Sequence, residues 1–460
     1  MKKSKRHFFS PTDWAPIVAA VLLISVAAVG LVRIYSHGQA VCDSLTVSER
    51  NALSLSVDVN DPDYVNNMRE RADSIYGCVS TSDGKILFDA VDPSTVNTAF
   101  GSLLGSVNDI GVDDTRYVLN HYQDALWPDV QWNLRTGISA GRGMVELTLN
   151  AAVQEAVLER MAENNIIGSV TAYDYITGDI LCLASTPIFG SGQEGSYINK
   201  CLYSTTPGST QKLVTLLLLT SQGFDPSQMY FTCEGSYALP DGNEIMCTGT
   251  HGRISGSTAI GVSCNCWFAQ AIQLLNIEQA KQTLTTLGFS VNGEKAEAHI
   301  GKLPISPSSV ELGDAWAFNS IWSLIGQDSA LANPLQMVSL AGNYLTGGCA
   351  ALPRLTADEE PTYSNCSDTL CSAFKQATRI WKNGFANYYS MQDYGLFSVA
   401  KTGTADGLGA AHSETHKLLC AVSEKYHTVI YVVNENYLEN HIMPCDIAAY
   451  ALNVIAELSE

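Results

Sequence analysis

Apolar and polar positions divide the chain into three textures. The first is a single uncharged run of eighteen residues, APIVAAVLLISVAAVGLV from Ala15 to Val32, which as a helix rising about 1.5 Å per residue spans about 27 Å. That is close to the thickness of a bilayer's hydrocarbon core. From 36 to about 140 the chain is polar and irregular, with only short strand-like pieces such as KILFDAV. From Met144 the pattern sharpens. VELTL alternates as a strand, Asn150 is placed to cap a helix, and AAVQEAVLERMAENN has a helical apolar stripe. IIGSVTAYDYITGDILCLAS predicts a hairpin turning at Thr177 and Gly178. A helical middle follows from Ser209 to about Gly347 and includes NPLQMVSLAGNYL, with Asn333 as cap and Pro334 at the first helical position. LFSVAKTGT, KLLCAVS and TVIYVVN then predict three strands, and MPCDIAAYALNVIAELSE predicts a closing helix. Strands at both ends of a helical middle imply an α+β domain, its antiparallel sheet assembled from both ends and covered by helices.

Charge gives the first run its meaning. Lys2, Lys3, Lys5 and Arg6 precede it, and Trp14 and Tyr35 flank it where interfacial aromatics belong. The expectation is a single-pass anchor with everything beyond residue 35 outside the cell. GQA at 38–40 could instead be a signal-peptide cleavage site, but the apolar run is longer than a usual signal core. The expected organisation is a cytoplasmic tail at 1–13, an anchor at 14–35, a juxtamembrane pedestal-like module at 36–143 and a catalytic-type domain at 144–460. The formal net charge is −20. Removing Lys2, Lys3, Lys5, Arg6, Arg33 and Asp13 leaves about −24 on the exported part, 21 basic against 45 acidic residues. Nucleic acid is therefore not an expected partner.

Thirteen cysteines in an exported chain suggest disulfides, with Cys233–Cys247 first, around YALPDGNEIM, and Cys366–Cys371 second. Cys42 could pair between chains, and in a reducing habitat all could stay thiols. No C-x-x-C pair of zinc type occurs, so no metal is expected.

Three short stretches carry candidate chemistry. In TTPGSTQKLVTLLLLTS, Lys212 follows Ser209 by three positions, which on a helix beginning near Gly208 brings both side chains to one face. A serine hydroxyl needs a base, and an amine can be one if burial among leucines lowers its pKa. The helix start also aims N–H groups at any anion formed there. In GVSCNCWF, Ser263 and Asn265 lie about 200° apart on a continuous helix, so they share a pocket only if the chain turns between them. In SVAKTGTAD, at the end of a strand, Lys401 offers a fixed positive charge, Thr402 and Thr404 offer hydroxyl donors for a carboxylate, and Gly403 admits a close backbone.

In order and spacing, S-T-Q-K, S-C-N and K-T-G-T resemble the three motifs of penicillin-binding proteins. LTLNAAVQ, TGDILCLASTP, HGRIS, IGQ and NPLQM are also similar to stretches of that family's transpeptidase domain, and the likeness covers about 144–460. The single anchor resembles the class B, monofunctional type. This resemblance implies a peptidoglycan D,D-transpeptidase that needs no cofactor. Ser209 attacks the penultimate D-alanine carbonyl of a stem peptide, Lys212 takes its proton, Ser263 protonates the leaving amine, and Lys401 holds the relay electrostatically. The N–H groups of Ser209 and Thr404 form the oxyanion hole, Asn265 binds the donor amide, and Thr402 and Thr404 receive its carboxylate, with Gly403 between them in the same substrate-binding stretch. β-Lactams are the implied inhibitors, and division or elongation proteins the implied partners. Two departures stand out: YGCVSTSDGKILFD keeps little of the R-G-x-I-x-D-R-N-G stretch of class B pedestals, and HKLLCAV lacks the aromatic pair usual after K-T-G-T. The alternatives are a β-lactamase or β-lactam sensor of the same fold, or a silent cell-wall scaffold. The E-x-x-L-N stretch of class A β-lactamases is absent between Cys266 and Ala400.

Overall fold

A computed structural model describes residues 11–43, 77–89, 97–105, 116–126, 131–133, 137–139, 144–345, 350–363, 396–406 and 415–459. They form two compact units. One comprises Met1–Cys78, Asp89–Asp92 and Gln123–Met144, the other Val79–Phe88, Pro93–Tyr122 and Val145–Glu460.

In the first unit the apolar run forms α1, Pro11–Asp43. It extends past the expected end at 35, with Gly38-Gln39-Ala40 inside the helix. Its Val18–Ala40 portion is long and apolar enough to cross a membrane and has none of its span buried.

The second unit contains the strand pieces read from KILFDAV and VELTL. β1 (Cys78–Thr81), β2 (Ile86–Asp89) and β3 (Met144–Leu147) form a small sheet in the order β2-β1-β3. Helix α2 (Ala151–Glu163) begins where expected, because the Asn150 side chain accepts the Val153 N–H. The hairpin of β4 (Gly168–Asp174) and β5 (Ile180–Thr186) closes with Gly178 at φ +81°. Next come α3 (Lys212–Ser221), β6 (Tyr230–Cys233), β7 (Ser236–Ala238), β8 (Glu244–Met246) and β9 (Gly252–Ser255). The helices α4 (Gly256–Gly261), α5 (Asn265–Ile272), α6 (Phe318–Ile325) and α7 (Pro334–Leu345) follow. The chain closes with β10 (Val399–Asp406), β11 (Thr415–Ser423), β12 (Thr428–Asn434) and α8 (Pro444–Ser459).

The five-stranded sheet has the order β10-β11-β12-β4-β5, antiparallel throughout, so strands from both ends of the segment meet where β12 pairs with β4. One face packs on α2 and α8 through Val153, Val157, Val170, Ile430, Val432 and Leu452. The other face is buried too, for Tyr173 and Tyr431 point away from that cluster and are fully enclosed. Two covered faces explain why TVIYVVN is apolar at nearly every position instead of alternating. Lys212 to Thr220 of α3 are all buried, which makes α3 a central helix. Such a helix can place a side chain at its first turn in an environment poor in water.

One expected element takes a different form. Ser209 lies in a 3-10 turn, Gly208–Gln211, ahead of the α-helix, because Gly208 adopts φ +51° as the chain enters from Pro207. Three residues per turn eclipse positions i and i+3, so Ser209 lies directly beneath Lys212. The expected bridge between Cys233 and Cys247 is absent; both are free thiols. Cys366 and Cys371 lie outside the described residues, and so does the Cys42 side chain.

Candidate active site

The eclipsed pair is the centre of the site. Lys212 Nζ is 2.9 Å from Ser209 Oγ, 2.9 Å from the Ser263 carbonyl, 3.1 Å from Ser263 Oγ and 2.6 Å from Asn265 Oδ1. A neutral amine has two N–H donors and one lone pair. If the donors serve the Ser263 carbonyl and Asn265 Oδ1, the lone pair faces the Ser209 hydroxyl, the geometry of a base accepting its proton. The sequence requirement at Ser263 is met by a turn: α4 ends at Gly261, Ser263 takes φ +52°, and α5 begins at Asn265. Asn265 Nδ2 donates to the Met246 carbonyl at 2.8 Å, which fixes the amide with its oxygen toward the lysine.

The third motif arrives on β10. Lys401 Nζ donates to Ser263 Oγ at 3.0 Å and to the Thr402 carbonyl at 2.5 Å. Ser263 Oγ therefore touches both amines. Gly403 shows why the motif has glycine: an added Cβ would lie 3.0 Å from both the Pro207 carbonyl oxygen and Thr210 Cγ2. Gly208 is held as closely, since a Cβ there would lie 2.4 Å from the Thr404 carbonyl oxygen. The turn bearing Ser209 and β10 thus meet backbone to backbone.

Burial sets the electrostatics. Lys212 is 0% and Lys401 3% exposed. Loss of hydration pushes the Lys212 pKa down from 10.5 to about 7, against a smaller upward pull from Cys247, Cys264 and Cys266. Burial, and then the adjacent Lys212, push Lys401 well below its ordinary value. The sequence reading gave Lys401 a fixed charge; two buried amines sharing one hydroxyl oppose each other's protonation, so a proton held there is a labile one. Acylation at Ser209 should accordingly rise with pH through about 7, because the low-pH form of Lys212 has no lone pair. Stopped-flow acylation measured about two pH units to either side should show a fall of about tenfold per unit on the acid limb and a plateau above. A flat profile would contradict a base of this pKa.

The site opens into a cavity of about 250 Å³ that includes Ser209, Ser263, Asn265, Thr402, Gly403 and Thr404 among its lining residues. All eight residues singled out from the sequence therefore meet, six on the cavity wall and the two lysines behind it. Beyond the motifs the wall includes the polar residues Thr248, Gln327 and Lys417, to which the sequence gave no role. Lys417 stands opposite Thr404 in the β10–β11 register and donates to its Oγ1 at 3.0 Å. Gln327 Nε2 donates to the Thr404 carbonyl at 3.2 Å. Only sheet register could have revealed Lys417. Among the described lining residues none is a carboxylate.

Residues 168–440 match the family model for the penicillin binding protein transpeptidase domain. The fold is similar to the crystal structure of PBPA from Mycobacterium tuberculosis, with a TM-score of 0.67 and 18% identity over 83% of this chain and 98% of that one. It is likewise similar to the D,D-transpeptidase domain of a peptidoglycan glycosyltransferase from Eggerthella lenta, with a TM-score of 0.63 and 17% identity over 84% and 99%. The family match spans more than half of the sequence and contains all three motifs, so the chain belongs to the penicillin-binding protein transpeptidase family.

Proposed function

We propose that the chain cross-links peptidoglycan as a class B, serine-type D,D-transpeptidase. The observation that carries this reading is the position of Lys212 Nζ, 2.9 Å from Ser209 Oγ and anchored on Ser263 and Asn265. Ser209 Oγ bonds to the carbonyl carbon of the penultimate D-alanine while its proton passes to Lys212. The N–H groups of Ser209 and Thr404 receive the negative oxygen. As the C–N bond breaks, Ser263 gives its proton to the leaving D-alanine amine and regains one from the neighbouring lysines. An acceptor amine then attacks the ester and restores Ser209. Among the described residues β10 is an edge strand. An extended stem peptide could add to that edge by main-chain hydrogen bonds. Asn265 would hold its amide, while Thr402 and Thr404, joined by Lys417, would receive its carboxylate.

Two similar structures of M. tuberculosis penicillin-binding protein A are acyl-enzyme complexes with penicillin G and imipenem. By analogy, β-lactams should acylate Ser209. A β-lactamase requires a base to direct water onto the ester, and the described wall offers no carboxylate for that. A silent scaffold would not require a buried lysine against a serine. Incubation with a D-Ala-D-Ala stem peptide and an amine acceptor tests the reading: release of D-alanine with a cross-linked product supports it, and release with hydrolysis alone points to a carboxypeptidase.

We infer further that α1 holds the chain in the membrane with the catalytic domain outside. The 36–143 module would then serve as the pedestal and the contact for division or elongation proteins. The basis is the uncharged helix behind four basic residues. External protease should remove the catalytic domain from intact wall-stripped cells; protection of that domain would refute the orientation.

A further inference from the structure

Beside the acylation centre, four ligand-type side chains converge that the reaction does not use. Cys233 ends β6, Cys247 follows β8, His251 precedes β9, and Cys264 occupies the turn between Ser263 and Asn265. Their ligand atoms all lie within 4.8 Å of one another. His251 Nδ1 is 3.4 Å from Cys233 Sγ and 3.6 Å from Cys247 Sγ, and the Cys247 and Cys264 sulfurs are 3.8 Å apart. A tetrahedral zinc ion with bonds of about 2.3 Å to sulfur and about 2.0 Å to nitrogen sets its ligands about 3.8 Å apart for two sulfurs and about 3.5 Å for sulfur and nitrogen. All three separations fit the edges of such a tetrahedron. A disulfide requires sulfurs about 2.05 Å apart, much closer than the 3.8 Å between Cys247 and Cys264.

We propose that Cys233, Cys247, His251 and Cys264 hold one zinc ion in a closed Cys3His site that fastens the turn carrying Ser263 and Asn265. Four protein ligands leave no open position, so the ion is structural. Binding turns three thiols into thiolates and releases three protons to solvent. Cys233 and Cys264 are buried, and the half-buried Cys247 and His251 give the ion its way in. The backbone N–H of Trp267 points at Cys264 Sγ from 3.4 Å, the kind of supporting contact that orients a metal-bound thiolate. The clamp joins two hairpins to Cys264, next to Ser263, the one residue of the acylation centre with positive φ. It also fixes the segment at Met246 whose carbonyl receives Asn265 Nδ2.

Zinc measured in the full chain, purified in detergent without chelator, should approach about one ion per chain, falling to about a tenth or less in Cys233→Ser, Cys264→Ser and His251→Ala. Cys182→Ser, a change in the central sheet, should keep it. His251→Cys should also keep it, which separates ligand loss from misfolding. Cobalt exchanged into the wild-type chain should give thiolate charge-transfer absorption and tetrahedral d–d bands. Stripping the ion should slow Ser209 acylation about tenfold or more, with recovery on adding zinc. A wild-type chain that carries no zinc after zinc is supplied, or a disulfide between any two of these cysteines, would overturn the site. Unchanged acylation after stripping would overturn the clamp.

Discussion

Ser209→Ala should abolish covalent labelling by a fluorescent penicillin, and Lys212→Ala should slow acylation by about 10² or more while leaving the serine in place. Ser209 is only part-exposed, and the one amine within reach of its Oγ among the described residues is Lys212. The other hydroxyl beside the base, Ser263 Oγ, is buried and held between Lys212 and Lys401, so it should not replace the lost one. The lysine contributes in two ways, as base and as the tie between Ser263 and Asn265. Lys212→Arg separates the two: it keeps a donor but cannot lose its proton near neutral pH, and so should acylate as slowly as the alanine variant. Normal labelling of Lys212→Ala would remove the lysine from the mechanism.

The second large effect lies outside the motifs. Gly326 ends α6 in the left-handed region at φ +101°, and a Cβ there would come 1.7 Å from the Gly208 carbonyl oxygen. Backbone cannot yield as a side-chain tip can. Gly326→Ala should therefore displace the turn immediately before Ser209 and slow acylation about 10²-fold, the cost of misplacing a reacting group by about 1 Å. The strained φ alone should cost about 1–3 kcal/mol of stability. Gly190→Ala is the control, since Gly190 also has positive φ (+75°) but nothing within 4 Å of an added Cβ. Thermal unfolding and acylation measured on both variants should show both defects in Gly326→Ala and only a mild loss of stability in Gly190→Ala. A Gly326→Ala chain that acylates at the wild-type rate would contradict this role.

What was legible depended on how local the determining contact is. Ser209 and Lys212 could be paired from a three-residue spacing, and the turn at Ser263 followed from the demand that it and Asn265 face one pocket. The sheet built from both ends followed from strand patterns flanking a helical middle. The 3-10 form of the Ser209 turn was not legible, because it depends on Gly208 packing against Thr404 and Gly326, far away in sequence. Lys417 and Gln327 reach the cavity through sheet register and a helix end, neither of which hydrophobic periodicity reports. The expected Cys233–Cys247 bridge failed for the same reason. Cys233 and Cys247 looked like the ends of a bridged hairpin, but folding brings His251 and Cys264 to the same point, with ligand spacing C-x13-C-x3-H-x12-C that no short zinc pattern contains.

Ser209 should form an ester that water clears slowly. The basis is a neutralisable lysine beside the serine and a described cavity wall without a carboxylate to activate water. The absent base would be worth about 10² to 10⁴ in hydrolysis rate. The direct measurement is intact mass of the detergent-purified full chain after brief exposure to penicillin, with peptide mapping of the product. One penicilloyl adduct is expected, on the peptide containing Ser209, persisting for many minutes. Rapid loss of the adduct with multiple turnovers, or an adduct on any other residue, would contradict it.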